Sequence, residues 1–152
     1  MKIILTGGGT GGHFYPIIAV AESIRSITKT ERLIEPSLYY MGPKQYDEKA
    51  LFENGIIFER SYAGKMRRYF SLLNIIDAVK TLIGIINAII SVWRIYPDVV
   101  FSKGGYVSFP VLCAARLLRI PVIIHESDSH PGKVNLWAGK FALKVAISYK
   151  EA

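Results

Sequence analysis

Short apolar runs alternate along the chain with longer segments whose apolar positions recur every three or four residues. The short runs are rich in isoleucine, valine and aromatic residues, and they predict strands at 2–5, 38–41, 56–59, 99–101, 122–125 and 144–147. The longer segments predict one helix that begins near Pro16 and further helices over 47–54, 71–93, 110–118 and 134–141. Strands that alternate with helices indicate an α/β fold with a mostly parallel sheet, right-handed crossovers and helices on both faces.

The segment 71–93 has the strongest helical periodicity. A stripe of large apolar residues follows its three-and-four spacing, and we expect this stripe to face the core: Leu72, Ile76, Val79, Ile83, Ile86, Ile90 and Trp93. The longest uncharged run, 81–93, is shorter than the ~20 residues that cross a bilayer as a helix. We therefore expect a core helix and no membrane-spanning segment.

Composition narrows the class of protein without choosing a function. A chain of 152 residues with 51% hydrophobic residues lies in the range of a single domain. The net charge of +7 attracts anions, which include nucleic acid, phosphorylated small molecules and acidic membranes. Cys113 is the single cysteine, so no internal disulfide forms, and the glycines after residue 6 interrupt any signal-peptide pattern. These features favour a reducing, cytosolic setting.

Two glycine-rich loops follow predicted strands and precede predicted helices. The first, TGGGTGGHFYP at 6–16, contains the G-x-G-x-x-G spacing that allows backbone N–H groups to approach a phosphate. A tight strand-to-helix turn produces the same pattern, so this loop alone is a weak signal. The second loop contains Gly104 and Gly105 and precedes a helix opened by Pro110. Both loops fall at the carboxyl edge of the sheet, where ligands of such folds bind, and together they favour a ligand that contains phosphates.

A dinucleotide-binding domain is the alternative interpretation of the first loop. Such domains place an acidic residue at the tip of the second strand, where it binds the ribose. Glu31 and Glu35 precede that strand here, and Asp47 and Glu48 lie several residues beyond it. The NAD(P)-binding hypothesis therefore lacks its confirming contact.

Ionisable residues at the same edge are candidates for proton transfer. His13 lies at the start of a helix, whose positive end favours the neutral imidazole that accepts a proton. The motif HESD places His125, Glu126 and Asp128 at the end of another strand, where a carboxylate can orient a histidine base. A loop-capping His13, a core His125 and a turn-capping Asp128 are the structural alternatives. The spacing of cysteine and histidine predicts no metal site.

The segments GGGTGGHFYPIIAVAESI and FSKGGYVSFPVLCAARLLRIPVIIHESDSHPGKVNLWAGKFALKVAISY closely resemble the amino-terminal domain of MurG-type transferases, in glycosyltransferase family 28. The resemblance is strong at both ends of the chain and loose over 30–95. It implies one Rossmann-like half of a GT-B fold. It also implies inverting transfer of N-acetylglucosamine from UDP-N-acetylglucosamine to an undecaprenyl-pyrophosphate-linked muramyl-pentapeptide.

The resemblance also assigns roles to individual residues. It implies His13 as the catalytic base, with Glu126 and Asp128 in the catalytic group. The substrate-binding positions that it implies are Thr10, Gly11, Gly12, Gly104, Gly105, Tyr106, Asp128 and Asn135. Asp128 stands where many members of the family have asparagine, which raises the hypothesis of a His13–Asp128 dyad.

The resemblance further implies how the domain is used in the cell. Residues 1–152 form an acceptor-side domain without the donor-binding domain, which would be supplied in cis or in trans, and the domain alone is expected to be inactive. A split two-chain transferase for another lipid-linked sugar is the alternative. We expect no cofactor, metal or nucleic acid, and peripheral binding at the cytoplasmic face of an anionic membrane. The basic and aromatic residues expected to contact that membrane are Lys65, Arg67, Arg68, Tyr69 and Phe70.

Overall fold

The structure, a computed structural model, describes residues 1–64 and 73–149 and contains a six-stranded parallel sheet. Its strands are β1 Lys2–Thr6, β2 Ser37–Gly42, β3 Ile56–Arg60, β4 Val99–Ser102, β5 Val122–Glu126 and β6 Lys144–Ile147. The helices are α1 Gly11–Thr30, α2 Glu48–Glu53, α3 Leu73–Ile95, α4 Phe109–Leu117 and α5 Lys133–Ala138, with a 3-10 turn at Tyr106–Ser108. The strand order is β3-β2-β1-β4-β5-β6. This is the doubly wound, Rossmann-like arrangement, so the predicted fold class is confirmed.

Two hydrophobic cores cover the two faces of the sheet. Alternate residues of β1 point to opposite faces, so Ile3 and Leu5 join one core and Ile4 joins the other. Phe14 and Ile17 of α1 fill the first core together with α2. The second core is formed mainly by α3, α4 and α5. A parallel sheet buried on both faces explains why its strands are short apolar runs.

Helix α1 begins five residues earlier than the sequence pattern predicts. Thr10 is its N-cap, and the backbone N–H groups of His13 and Phe14 both donate to the Thr10 carbonyl oxygen at 3.2 Å. Pro16 therefore lies in the second turn and not in the first. The earlier start places His13 in the first turn of the helix, beside its positive end.

Helix α3 turns its large apolar stripe outward, so the predicted orientation is wrong. The stripe residues from Ile76 to Trp93 are 50–67% exposed, while Leu72 lies outside the described residues. The inward face instead carries the small residues Gly84, Ala88 and Ser91, followed by Val92 and Ile95. A Cβ on Gly84 would collide with the backbone of Tyr62, so the small side chains are needed for close packing. A hydrophobic sequence pattern is dominated by large apolar side chains, and in α3 these are not the side chains in the core.

The same helix meets the length and composition of a membrane span. The stretch Ile76–Ile95 has 20 residues and a mean hydropathy of 1.6, and 28% of it is buried. This finding differs from the expectation of no such segment, which considered only the uncharged run 81–93. One such helix is weak evidence for a membrane span, and α3 packs against α4 through its inward face, with Ala88 and Val92 in their shared core.

Candidate active site

The two glycine-rich loops meet where the strand order reverses, between the carboxyl ends of β1 and β4. The Gly105 backbone lies against the Gly8 carbonyl oxygen, which would be 3.3 Å from a Cβ on Gly105. The Tyr106 ring lies equally close to the corresponding position on Gly9. Gly105 has φ 83° and ψ 164°, a conformation that is essentially restricted to glycine. The contact and the conformation together require glycine at position 105.

Tyr40 of β2 holds the first glycine loop in position. Its hydroxyl group donates a hydrogen bond to the Gly7 carbonyl oxygen at 2.9 Å, and its ring is buried. Burial raises the pKa of Tyr40 to about 12, so the hydroxyl remains a donor at neutral pH. The backbone N–H of Lys103 donates to the Thr6 carbonyl oxygen at 2.9 Å and ties the second loop to β1.

His13 lies between the two loops with its ring toward Gly105. A Cβ on Gly105 would be 3.8 Å from His13 Nε2. Burial lowers the pKa of His13, the Lys103 cation lowers it further, and the carboxylates of Asp128 and Glu126 oppose this effect. The net shift is downward, so the imidazole is neutral at pH 7 and available as a proton acceptor.

The hydrogen-bonded dyad between His13 and Asp128 is not formed in this structure. The buried Nδ1 atom of His13 has no hydrogen-bond partner among residues 1–64 and 73–149. Asp128 is exposed and accepts a hydrogen bond from Ser127 Oγ at 3.4 Å. Its carboxylate acts on His13 through charge alone.

Glu126 organises the loop after β5. Its carboxylate accepts hydrogen bonds from the backbone N–H groups of Asp128 and Gly132, each at 3.0 Å, and from the Asn135 side-chain amide at 2.9 Å. Burial opposes ionisation, but these hydrogen bonds outweigh it and the pKa of Glu126 is lowered. Both carboxylate oxygens are therefore occupied by the protein itself, which favours a structural role over the catalytic one expected from the resemblance.

Asn135 connects this loop to the second glycine loop. Its side chain lies against Gly104, where a Cβ would be 2.5 Å from Oδ1. The buried Oδ1 atom has no hydrogen-bond partner within the described part of the chain. An unsatisfied buried carbonyl oxygen beside the second glycine loop is suited to accept a hydrogen bond from a ligand.

The remaining candidate residues lie at the start of α1 and in β5. Thr10, Gly11 and Gly12 lie at the start of α1, with Thr10 and Gly12 exposed. His125 is the last residue but one of β5 and is half buried, with its Nε2 atom 3.4 Å from Ser148 Oγ, and burial lowers its pKa. Within the described ranges, no cluster of three or more His, Cys, Asp or Glu is arranged to hold a metal ion.

The predicted membrane-contact residues lie outside the described residues. These are Lys65, Arg67, Arg68, Tyr69 and Phe70.

Lys103, which is buried within this site, is not among the residues predicted from the sequence. The side chain is 1% exposed, and its Nζ donates to Ser127 Oγ at 2.7 Å. The available signal was a lysine placed between the end of a strand and a glycine pair. Burial of a lysine is rare, so the residue type gave no reason to expect it.

Comparison with known proteins gives one consistent family. The model of the glycosyltransferase family 28 N-terminal domain matches residues 3–147. A Bacillus cereus (strain ATCC 10987 / NRS 248) protein named UDP-N-acetylglucosamine--N-acetylmuramyl-(pentapeptide) pyrophosphoryl-undecaprenol N-acetylglucosamine transferase 2 is 39% identical over 152 residues, which cover 99% of this chain and 41% of that protein. A transferase of the same description, without the number, from Legionella pneumophila (strain Corby) is 43% identical over 149 residues, or 97% of this chain and 39% of the relative.

Solved structures agree with this assignment. The crystal structure of Acinetobacter baumannii MurG matches with a TM-score of 0.78 and 25% identity, over 99% of this chain and 42% of the other. The calicheamicin glycosyltransferase CalG4 matches in fold, with a TM-score of 0.55 and 12% identity over 93% of this chain and 37% of the other. The chain thus spans about two fifths of the length of the curated relatives it matches. The chain belongs to glycosyltransferase family 28 and corresponds to its N-terminal domain.

Proposed function

We propose that this chain forms the acceptor-side part of an enzyme that transfers N-acetylglucosamine from UDP-N-acetylglucosamine to N-acetylmuramyl-(pentapeptide) pyrophosphoryl-undecaprenol. The names of the curated relatives supply the two substrates. The observation that carries the proposal is the position of His13, a base with a lowered pKa between two glycine loops at the switch point of the sheet. The second, donor-binding domain is provided by the remainder of a two-domain enzyme or by another chain.

The proposed reaction is a direct displacement at the anomeric carbon of the donor sugar. A hydroxyl group of the acceptor transfers its proton to neutral His13 as its oxygen bonds to that carbon. The bond from the carbon to the UDP oxygen breaks, and UDP leaves with the electron pair, so the anomeric configuration inverts. The protein contributes orientation of the two substrates and a proton acceptor at the correct position.

The start of α1 is suited to bind the phosphates of the substrates. The N–H groups of Gly11 and Gly12 have no partner within the helix, and α1 begins directly after the first glycine loop. We assign substrate contacts to residues at this helix start, in the second glycine loop, and in the loop and helix after β5: Thr10, Gly11, Gly12, Gly104, Gly105, Tyr106, Asp128 and Asn135. The unpartnered Oδ1 atom of Asn135 is a hydrogen-bond acceptor for a sugar hydroxyl group.

Peripheral attachment to the cytoplasmic face of a membrane is part of the proposal. The outward stripe of α3 exposes six large apolar residues along one helix face, and such a continuous apolar surface is unusual on a soluble monomer. The inward face of α3 packs on α4, so the helix is suited to lie along a membrane surface. The basic cluster of Lys65, Arg67 and Arg68 precedes it in sequence and would add attraction to anionic lipids.

The test uses the full-length protein with labelled UDP-N-acetylglucosamine and the lipid-linked acceptor in detergent. Label should enter the lipid product, and His13→Ala should lower kcat by roughly 10² to 10⁴, because it removes the proton acceptor. Transfer at the parental rate by the alanine variant would reject His13 as the base. Transfer to another lipid-linked sugar, and not to the muramyl lipid, would reject the proposed acceptor.

A further inference from the structure

Lys103 carries a buried charge that the proposed mechanism leaves unexplained. The residue directly follows β4, and its side chain is 1% exposed. Removing an ammonium group from water costs free energy, and a paired carboxylate usually offsets that cost. The ion pairs found in the described ranges are Lys49–Glu53 and Arg94–Glu59, and neither involves Lys103. A buried cation held by one hydroxyl group does not act mainly to stabilise the fold.

The hydroxyl group that holds Lys103 connects two strand ends. Ser127 Oγ accepts a hydrogen bond from Lys103 Nζ at 2.7 Å and donates one to Asp128 Oδ1 at 3.4 Å. The connection therefore runs from the second glycine loop after β4 to the loop after β5. Glu126 holds the same loop from its other side through the Asp128 backbone N–H. The two contacts together fix the position of Asp128 in the loop.

Lys103 also contributes to the electrostatic environment of His13. Three charged groups act on this imidazole: Lys103 from the end of β4, and Glu126 and Asp128 from the end of β5. The cation favours the neutral ring and both carboxylates favour the protonated ring. Among the described residues, Lys103 is the cation that opposes the two carboxylates, so without it the ring would be protonated at a higher pH.

We propose that Lys103 is a positioning residue of the transfer site, whose buried ammonium group anchors Ser127 and the Asp128 loop and balances the two carboxylates of that loop next to His13. The inference rests on the proposed function for its catalytic meaning. Its structural part concerns only this chain and is testable without substrate.

The first experiment measures the pKa of His13 by NMR titration in the full-length protein. Lys103→Met removes the charge and retains an unbranched side chain of similar length. Lys29→Met is the matched control, since Lys29 is an exposed lysine in the last turn of α1, at the opposite end of that helix from His13. The pKa should rise in Lys103→Met and stay at the parental value in Lys29→Met. An unchanged pKa in Lys103→Met would overturn the electrostatic part of the proposal.

A second variant tests the anchor and protects against a folding defect of the first. Ser127→Ala retains the Lys103 charge and removes the hydroxyl group that joins it to Asp128. The backbone amide of Asp128 should become more mobile in ¹⁵N relaxation, while the His13 pKa stays below its ordinary value. An Asp128 amide as rigid as in the parent would show that Ser127 does not anchor the loop, and would overturn that part.

Turnover links the result to the reaction. Lys103→Met should move the rise of kcat with pH to higher pH and so lower kcat on the acidic side of the profile, with a smaller change in KM, because it alters the base and not the bulk of substrate binding. A parent protein without transferase activity would reject the proposed function and leave the two NMR results to decide the role of Lys103. Normal kcat in Lys103→Met with a raised His13 pKa would reject the catalytic role of Lys103 alone.

Discussion

Gly105 faces the imidazole of His13 across the two glycine loops, so that a Cβ on Gly105 would lie only 3.8 Å from Nε2. The backbone at Gly105 therefore sets the space in front of the proposed base. The same residue lies against the Gly8 carbonyl oxygen, so one glycine limits the approach of both loops.

Gly105→Ala should destabilise the protein and lower turnover. The conformation at φ 83° and ψ 164° is strained for alanine by about 1–3 kcal/mol, and the new methyl group would press on the Gly8 carbonyl oxygen and fill the space in front of His13. Denaturant unfolding and kcat measure the two effects. Gly132→Ala is the matched control, since Gly132 has φ −64° and ψ 149° with no atom within 4 Å of an added Cβ. Equal stability of the two variants would contradict the contact described here.

The pH dependence should show the lowered pKa of His13. Turnover should rise with pH through a pKa below the ordinary 6.5, because the neutral ring is the active form. The free energy of unfolding also rises with pH in this range, since the unfolded chain binds the proton more tightly than the folded one. The contribution of His13 is complete above pH 6.5 and is lost as the pH falls through the lowered folded-state pKa. Unfolding measured against pH for the parent and His13→Ala should differ in slope below pH 6.5, and parallel curves would reject the shift.

Tyr40→Phe should cost about 1–3 kcal/mol of unfolding free energy, because the buried Gly7 carbonyl oxygen loses its side-chain donor. The first glycine loop should also become more mobile, which raises KM for the substrates. Tyr39→Phe on the same strand is the control, since Tyr39 is only half buried and its hydroxyl group makes no hydrogen bond within the described residues. A loss of stability in Tyr39→Phe without one in Tyr40→Phe would contradict this expectation.

Ile86→Glu should weaken binding to phosphatidylglycerol vesicles with little effect on folding. Ile86 is 53% exposed on the outward stripe of α3. Loss of its apolar contact with the lipid should weaken vesicle binding about tenfold. Phe52→Glu is the matched control, because Phe52 is an exposed apolar residue of α2, a helix on the other face of the sheet. Flotation assays compare the two. Equal flotation of Ile86→Glu and the parent would remove α3 from the membrane contact.

The sequence predicted the strands and the site loops because their signals are local. Apolar runs that stop at glycine place both loops at the carboxyl edge, and the sheet confirms that Gly8 and Gly105 meet there. The face of α3 was predicted wrongly because side-chain size and burial are different properties, and Gly84 and Ala88 are the residues that allow close packing. The burial of Lys103 depends on Ser127, a residue 24 positions away, and no local pattern contains that information.

The central position of β1 has a consequence for how the chain acquires its structure. β1 pairs with β2 on one side and with β4 on the other, so one of its edges remains open until residues 99–102 have been synthesised. Pairing of segments so distant in sequence is slow, because the intervening chain must close a long loop before the contact forms. The first glycine loop receives its partner loop in that same late step. Pairing of β1 with β4 and the meeting of the two glycine loops are therefore one event in folding, and a nascent chain that ends before β4 contains neither.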